Sequence, residues 1–315
     1  MRLYLSGPMQ VHFDIESLPL FNNSVITIGT FDGVHTGHQQ VLTAMQQEAE
    51  RIGGETVLIT FHPHPRKVVV PNESLQLINT LEEKIELMER KGLDHLVVVP
   101  FTKEFSEQTA DAYIKNFLVN KFKPHTIIIG YDHHFGKGRS GNFSLLEAQK
   151  GLFGYKLIEI PKHVLNEISI SSTKIREALT SSQVQEANAL LGYEYFFEGL
   201  VIHGDKLGRT LGYPTANLSY SDLDKIHLGE GVYAVHVFIE GEKKGGMLSI
   251  GTRPTLNDTI ERVEVNIFDF DKDIYDHTIR VQVVRFLRRQ EKYDSLEALK
   301  EQLHKDKEDS LRILA

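Results

Sequence analysis

The apolar residues of this chain change their spacing near Gly192, and this change divides the sequence into two halves. Before it lie short, almost continuously apolar runs: VITIGT (25–30), TVLITF (56–61), HLVVVP (95–100), TIIIG (126–130) and KLIEI (156–160). Such runs are typical of strands buried on both faces of a parallel sheet. Helical patterns lie between them, so the first half is predicted to be α/β with right-handed crossovers.

The second half alternates apolar and polar residues, and Gly- and Asp-rich turns separate its segments. These are FFEGLVIHG (196–204), GVYAVHVFIEG (231–241), KGGMLSIG (244–251), RVEVNIFDF (262–270) and HTIRVQVVRFL (277–287). A period of two residues is typical of an antiparallel sheet with one solvent-facing side, here predicted to close into a small barrel. A helical pattern follows from Ser295 to Leu314. The 315 residues suffice for two domains, which we predict at 1–185 and 186–315.

Composition excludes several classes of protein. The formal net charge is -8, with 35 Lys and Arg against 43 Asp and Glu, which argues against a nucleic-acid binder. The chain has no cysteine, so disulfides, thiolate catalysis and cysteine-ligated metals are excluded. The N-terminal residues lack the apolar run of a secretory signal, and no long apolar stretch suggests a transmembrane helix. We therefore expect a cytoplasmic protein without a membrane partner.

The strongest motif is VITIGTFDGVHTGHQQVL, in which a buried strand runs into a tight turn and then a helix. A helix N-terminus exposes unpaired N–H groups and carries partial positive charge, so it favours bound phosphate. His35 and His38 lie three residues apart on one side of the first turn, where both imidazoles can donate to one phosphate chain. The alternative is a solvated or loosely metal-binding pair of histidines.

Two segments of the first half are similar to motifs of the nucleotidylyltransferase superfamily. HTGH (35–38) resembles its HxGH signature, and ISISSTKIREAL (168–179) resembles its ISSTxIR motif. The second segment offers Ser172 and Thr173 as helix-capping hydroxyls and Arg176 as a cation for phosphates. Helix capping alone is the other interpretation of SST, and the order of the two motifs, each after a strand, weighs against it.

Two further loops follow predicted strands of the first half. ITFHPHPRKV (59–68) and IGYDHHFGKGRSG (129–141) lie at the C-terminal ends of parallel strands, where open α/β sheets bind ligands. Phe61 is a candidate to pack on a planar ring, and Asp132 is a candidate to orient a ribose or the attacking phosphate. Core aromatic packing and ordinary loop polarity are equally good interpretations of these residues.

The second half contains GLVIHGDKLGRTLGYPTANL (199–218), which does not match the P-loop pattern. It is similar to the bacterial flavokinase signature GRxLGxPTANL. On the later strand RVEVNIFDFD (262–271), Glu264, Asn266 and Phe268 share one face, and Glu264 is a candidate general base. The alternatives are a plain strand entry for PTAN and a surface ion pair for Glu264.

Together these segments resemble one family, the prokaryotic bifunctional riboflavin kinase/FMN adenylyltransferases, or FAD synthetases, over essentially the whole chain. The resemblance implies a Rossmann-like, parallel-sheet nucleotidylyltransferase domain, followed by a small antiparallel flavokinase barrel with a C-terminal helix. It implies phosphorylation of riboflavin to FMN by ATP, and then adenylylation of FMN by a second ATP to FAD and pyrophosphate. Flavins are then substrate and product, Mg²⁺ is expected with ATP, and neither nucleic acid nor an obligate protein partner is expected.

The resemblance also implies site residues. For adenylyl transfer, the expected ATP contacts are Gly29, Phe31, Asp32, His35, His38, Ser172, Thr173 and Arg176, with the two histidines catalytic. The expected flavin contacts there are Phe61, His64, Pro65 and Asp132. For the kinase, the expected ATP contacts are Gly204, Gly208, Arg209, Gly212, Thr215 and Asn217, the last two also holding the metal. Riboflavin is expected to contact Gly231, Tyr233 and Glu264, with Glu264 as the base. Asn266 departs from the family pattern, since His is frequent at the corresponding position in the family.

Two other functions stay open at this point. One is an adenylyl- or cytidylyltransferase for another phosphate acceptor, with the barrel as an accessory ligand-binding module. The other is a flavin-binding regulator that keeps the fold without catalysis. The intact HxGH, ISST and PTAN motifs together with Glu264 weigh against the regulator, since a binding protein needs no general base.

Overall fold

The computed structural model describes residues 8–70, 74–161, 170–204, 211–252 and 261–315, and the chain forms two compact units. The first contains Met1–Leu75 and Asn79–Ser171, and the second contains Gln76–Ile78 and Ser172–Ala315. The chain thus enters the second unit at Ser172, earlier than the predicted domain boundary. The reason is packing, because apolar residues of the helices after Ser172 lie in the core of the second unit.

The first unit is built on a parallel sheet of six strands. They are β1 Gln10–His12, β2 Val25–Ile28, β3 Thr56–His62, β4 His95–Pro100, β5 Thr126–Gly130 and β6 Lys156–Ile160, in the order β1-β4-β3-β2-β5-β6. All five apolar runs predicted as strands lie in this sheet, and β2 is buried along its whole length. The short edge strand β1 pairs with β4 and is not predicted by any apolar run.

Helices connect these strands and carry the apolar residues that cover the sheet. They are α1 Thr36–Ile52, α2 Pro65–Val69, α3 Leu81–Arg90, α4 Lys103–Ser106, α5 Ala110–Ala112, α6 Asn120–Phe122 and α7 Phe143–Phe153. A π-helical stretch, Tyr113–Val119, joins α5 to α6, and a 3₁₀ turn spans Lys137–Arg139. Helix α1 ends at Gly53, which has φ of 62° and forms a left-handed C-cap.

The order of the strands identifies one position in this sheet as special. From β2 the chain moves through β3 to β4 on one side, and it then returns to place β5 on the other side of β2. The crevice at the carboxyl ends of β2 and β5 is therefore the topological switch point, where open parallel sheets bind ligands. The HTGH segment follows β2 directly.

The second unit is a closed antiparallel barrel with helices. Helices α8 Ser172–Thr180 and α9 Val184–Leu191 precede strands β7 Phe196–Ile202, β8 Ala216–Tyr220, β9 Gly231–Ile239, β10 Glu242–Thr252, β11 Glu261–Ile267 and β12 Thr278–Arg288. The strands close in the order β10-β11-β8-β7-β12-β9. Alternate residues fill the barrel, among them Val263 and Val265, which confirms the predicted period of two.

The C-terminal helix α10, Leu296–Leu314, packs on the outside of the barrel against β9, β10 and β12. The guanidinium of Arg288 on β12 binds the buried carboxylate of Asp306 through two pairs of atoms, with Nε–Oδ1 and Nη2–Oδ2 distances of 2.9 and 2.7 Å. Near the same helix, the hydroxyl of Tyr213 is hydrogen-bonded to the ring of His304. The helix is thereby joined to the segment that leads into β8.

Candidate functional site

The turn between β2 and α1 has an unusual backbone. Phe31, Gly33 and Val34 have positive φ angles of 48°, 88° and 38°. A β-branched residue such as Val34 adopts this conformation only rarely, because its side chain meets the backbone. Gly29 leaves room for the turn to fold back, since a Cβ there would lie 3.0 Å from the Phe31 ring. The buried carboxylate of Asp32 accepts a hydrogen bond from the backbone N–H of Asn79 at 3.3 Å.

His35 caps helix α1 with its side chain. Its Nδ1 accepts a hydrogen bond from the backbone N–H of His38 at 3.3 Å. Because Nδ1 is the acceptor, the neutral ring carries its proton on Nε2, which is left as a donor for a ligand. Gly37 makes room for this ring, since a Cβ there would lie 3.2 Å from two of its atoms.

The imidazoles of His35 and His38 are stacked, with centroids 3.6 Å apart and an angle of 14° between the planes. The ring of Phe31 lies against His38 at a centroid distance of 4.8 Å. Burial lowers the pKa of His35 to about 4. Burial, helped by the charges of His35 and Lys84, also lowers the pKa of His38 well below its usual value. Both rings are therefore neutral near pH 7 and offer hydrogen bonds rather than positive charge.

The loops after β3 and β5 carry the residues predicted to contact the flavin in this unit. Phe61 is half-buried among other aromatic rings, with centroids 5.4 Å from Phe101 and 5.7 Å from Phe105. His64 caps α2 by accepting a hydrogen bond from the backbone N–H of Arg66 at 3.2 Å, and Pro65 is the first residue of that helix. Asp132 is exposed in the loop after β5.

The boundary between the two units falls inside the ISST segment: Ile170 and Ser171 belong to the first unit, as HTGH does, and Ser172 and Thr173 belong to the second. Helix α8 begins at Ser172, with Thr173 in its first turn. The guanidinium of Arg176 donates from Nε to the backbone carbonyl of Gln76 at 2.7 Å. The phosphate-binding roles predicted for these three residues therefore remain predictions.

A row of polar residues crosses three strands of the barrel. Glu264 on β11 lies directly opposite Asn217 on β8 and, on its other side, opposite Ser249 on β10. Opposed residues on neighbouring strands present their side chains on the same face, with Cβ atoms about 5 Å apart. Because Val263 and Val265 fill the barrel, this row faces outward, and Thr215 lies two residues before Asn217.

The other predicted kinase residues occupy several environments. Gly204 lies against Asn217, since a Cβ on Gly204 would come within 2.0 Å of the Asn217 amide nitrogen. Gly212 is exposed in a left-handed turn, with φ of 83°. Gly231 begins β9, where a Cβ would lie 2.4 Å from the Phe286 ring. Tyr233 is buried in the barrel, where burial raises its pKa to about 12 and its hydroxyl donates to the Gly229 carbonyl. Gly208 and Arg209 lie outside the described residues.

Three residues near these sites, Ser249, Gln290 and Lys84, are not predicted from the sequence. Gln290 donates from its amide to the hydroxyl of Ser249 at 2.8 Å and so extends the polar row of the barrel. Lys84 on α3 is buried below the HTGH turn and donates to the Thr30 carbonyl at 2.8 Å. No motif marks these residues, because strand register and tertiary packing bring them to the sites.

Comparison with known proteins agrees with the two-unit architecture. Residues 19–174 match the model of the FAD synthetase family, and residues 191–314 match the model of the riboflavin kinase family. A protein of Listeria monocytogenes named bifunctional riboflavin kinase/FMN adenylyltransferase is 39% identical, over 93% of this chain and 93% of its own. The chain belongs to this family.

Other proteins are also similar to this chain along most of its length. The bifunctional riboflavin kinase/FMN adenylyltransferase of Haemophilus influenzae is 38% identical over 90% of this chain and 92% of its own. A crystal structure from Streptococcus pneumoniae, titled as a macrolide-efflux protein, has 32% identity and a TM-score of 0.86, covering 96% of this chain and 98% of its own. That similarity confirms the predicted fold class, a parallel-sheet unit followed by an antiparallel barrel and a C-terminal helix. Among the described residues, every helix is too short or too polar to cross a membrane.

Proposed function

We propose that this member of the bifunctional family makes FMN and FAD at two distinct sites. Riboflavin is phosphorylated by residues 186–315, at the row formed by Ser249, Glu264 and Asn217. FMN is adenylylated by residues 1–185, at the turn that carries His35 and His38. The observation that carries the proposal is the register of β11 against β8, because it places a carboxylate directly beside an amide on one outward face.

In the kinase reaction, the Glu264 carboxylate accepts the proton of the riboflavin hydroxyl while that oxygen attacks the γ-phosphorus of ATP. The bond from the γ-phosphorus to the bridging oxygen breaks, and ADP leaves with both electrons. Thr215 and Asn217 offer oxygen atoms, which suit a hard cation, and they would hold Mg²⁺ together with ATP. The bound cation supplies neutralisation of charge on the phosphate oxygens. Gly204, Gly208, Arg209 and Gly212 are proposed to contact this ATP, and Gly231 and Tyr233 the riboflavin.

In adenylyl transfer, a phosphate oxygen of FMN attacks the α-phosphorus of a second ATP, and pyrophosphate leaves. His35 and His38 donate hydrogen bonds to the phosphates, and the N-terminal N–H groups of α1 add partial positive charge. Gly29, Phe31, Asp32, Ser172, Thr173 and Arg176 are proposed to complete the ATP site. The flavin is proposed to lie against Phe61, His64, Pro65 and Asp132.

The proposed enzyme works in the cytoplasm on small-molecule ligands. Both reactions consume ATP, which supports a cytoplasmic location. The net charge of -8 gives no support for a nucleic-acid partner, and riboflavin, FMN, FAD and ATP are the expected ligands.

Paired variants test the division of roles in the full chain. Glu264→Gln is expected to reduce riboflavin phosphorylation by about 10²- to 10⁴-fold and to leave adenylylation of supplied FMN unchanged, because only the base is lost. His38→Ala is expected to have the opposite pattern, with a loss of about 10²- to 10³-fold in FAD formation from FMN. Chromatographic assay of FMN and FAD measures both.

Glu242→Gln, at the exposed start of β10, is the matched control and should keep both activities. A Glu264→Gln protein with normal kinase activity would remove Glu264 as the base. A native protein that makes neither FMN nor FAD would remove the proposed function.

A further inference from the structure

Lys84 is a lysine that the proposed chemistry does not use, yet it is only 7% exposed. Lysine is rarely buried unless its ammonium has a partner, since removal from water is costly. The ammonium of Lys84 donates to the Thr30 carbonyl at 2.8 Å. Burial lowers the pKa of Lys84, and the negative charge of Asp32 opposes this shift. Both partners lie at the turn that presents the stacked histidines. Helix α3 thus contributes a cation to the back of this turn.

The turn itself needs such anchors. Phe31 and Val34 have positive φ, and such strain in residues other than glycine persists only where the surroundings hold the backbone in place. The Thr30 carbonyl accepts two hydrogen bonds, one from Lys84 and one from the Thr60 hydroxyl at 3.2 Å. Asp32 is held from the other side by the backbone N–H of Asn79. Lys84 is the member of this set that also carries a charge.

The positive charge of Lys84 affects the protonation of His38 in addition to holding the backbone of the turn. Besides burial, the positive charges of His35 and Lys84 lower the pKa of His38. The carboxylate of Asp32 in turn favours the charged form of Lys84. The Nδ1 atom of His38 is buried and has no hydrogen-bond partner among the described residues. A positive charge nearby disfavours a second proton on this ring, so it supports the neutral, donating form.

We propose that Lys84 is a positioning residue for adenylyl transfer, which holds the Thr30–Val34 turn and thereby keeps His38 in place as a hydrogen-bond donor. Lys84 acts through the turn and does not touch the substrate. The inference rests on the proposed role of His38, and it adds a residue for which the HTGH motif contains no signal.

Lys84→Met in the full chain tests this role. The kcat for FAD formation from FMN and ATP is expected to fall about 10- to 100-fold, with little change in KM, because the turn is misplaced rather than the substrate contacts removed. Riboflavin phosphorylation by the same molecules should stay unchanged. The His38 ring, followed by its NMR signal against pH, should show a higher pKa, since a nearby positive charge has been removed. An unchanged His38 titration would show that the charge of Lys84 does not affect this ring.

A double-mutant cycle with His38→Ala makes the test specific. If Lys84 acts through His38, then Lys84→Met should cost less than about twofold in kcat when His38 is already alanine. A full further 10-fold loss in that background would overturn the inference. Arg90→Met, at the exposed end of the same helix, is the matched control and should behave like the native protein.

Two outcomes separate this inference from the proposed function. If the native protein makes no FAD from FMN, both fail together. If native protein is active and His38→Ala is not, but Lys84→Met keeps native kcat and His38 titration, only the inference fails. If Lys84→Met does not fold, Lys84→Gln replaces it in the double-mutant cycle with His38→Ala. We then expect a kcat between those of the native protein and Lys84→Met, and a raised pKa of His38. Native values of both quantities would overturn the inference.

Discussion

His35 caps α1 and lines the proposed phosphate site with one and the same imidazole. The Nδ1 atom serves the helix, so the opposite ring nitrogen is left to serve the ligand. This arrangement requires a neutral ring, since a protonated Nδ1 cannot accept a hydrogen bond. Burial supplies that condition by lowering the pKa of His35 to about 4.

A consequence is that His35 makes the first unit sensitive to acid. The unfolded chain protonates this ring below about pH 6.5, whereas the folded chain resists protonation down to about pH 4, so stability is lost as pH falls through this interval. The loss is at most about 3 kcal/mol by linkage. His35→Asn keeps a capping acceptor without the titration, and it should reduce the difference in unfolding free energy between pH 7 and pH 4.5.

Urea denaturation followed by circular dichroism measures this difference, since the chain contains no tryptophan. His62→Asn, at an exposed position of the same unit, serves as the control and should keep the native pH dependence. If the unfolding free energy depends on pH equally in His35→Asn and in the native protein, His35 is not the source of the acid sensitivity.

The residues of the two sites differ in how far the sequence predicts them. The spacing of His35 and His38 places them on one face, and the structure stacks their rings. Glu264 was predicted from strand alternation, but its position opposite Asn217 depends on pairing between strands distant in sequence. Lys84 lies within LEEKIELMER, which reads as an ordinary charged helix, because nothing local indicates that its ammonium points inward.

At the scale of elements, helix α10 shows how a charged pattern conceals a buried face. Its sequence is rich in Lys and Glu, yet Asp306 is only 2% exposed and accepts hydrogen bonds from Arg288 and Gln302. The helix also reaches Tyr213, two residues before Thr215 of the PTAN segment. The helix therefore supports the segment that leads into β8 as well as covering the outside of the barrel.

Removing the buried carboxylate should release this helix. Asp306→Ala leaves the Arg288 guanidinium without its partner, and breaking a buried pair in this way costs about 3–5 kcal/mol of unfolding free energy. Asp309→Ala, whose carboxylate pairs with Arg312 at the surface, should cost less than about 1 kcal/mol. Urea denaturation of both variants compares the two positions, and equal losses would show that Asp306 does not anchor the helix.

Most strands and helices are predictable from the sequence, because burial imposes a clear apolar pattern on them. Strands β2 to β5 are buried on both faces along most of their length, and the barrel strands on one, so their apolar patterns are strong. Strand β6 lies at a sheet edge and is partly exposed, contrary to the prediction of burial on both faces. The three-residue strand β1 lies at a sheet edge and needs no apolar run. The π-helical stretch Tyr113–Val119 has the same amphipathic pattern as an α-helix, so periodicity does not distinguish them.

At the scale of the whole molecule, the two units do not correspond to two uninterrupted pieces of chain. Gln76–Ile78 belongs to the second unit although it lies in the N-terminal half. Ile78 is buried in the apolar core of the second unit, and its carbonyl accepts a hydrogen bond from the buried ammonium of Lys225 at 2.8 Å. Backbone hydrogen bonds join Leu77 to Asp224 and Ile226.

This segment predicts an unexpected mutational effect. Ile78→Ala creates a cavity in the second unit and should cost about 2–5 kcal/mol there, while the first unit keeps its stability. Hydrogen exchange measured by mass spectrometry should show loss of protection in β9 and β12 and none in β2 and β3. Ile26→Ala, fully buried in β2, should give the reverse pattern. Loss of hydrogen-exchange protection in β2 after Ile78→Ala would contradict the division of the chain into these two units.

The same segment limits how these enzymes exchange parts during evolution. A recombination event with one crossover near Ser172 would combine a barrel with residues 76–78 of a different parent. The buried ammonium of Lys225 and the apolar residues that pack around Ile78 would then meet a foreign partner. Kinase and adenylyltransferase halves are therefore expected to be inherited together, and a working chimaera has to take two separate stretches of chain from the barrel's parent.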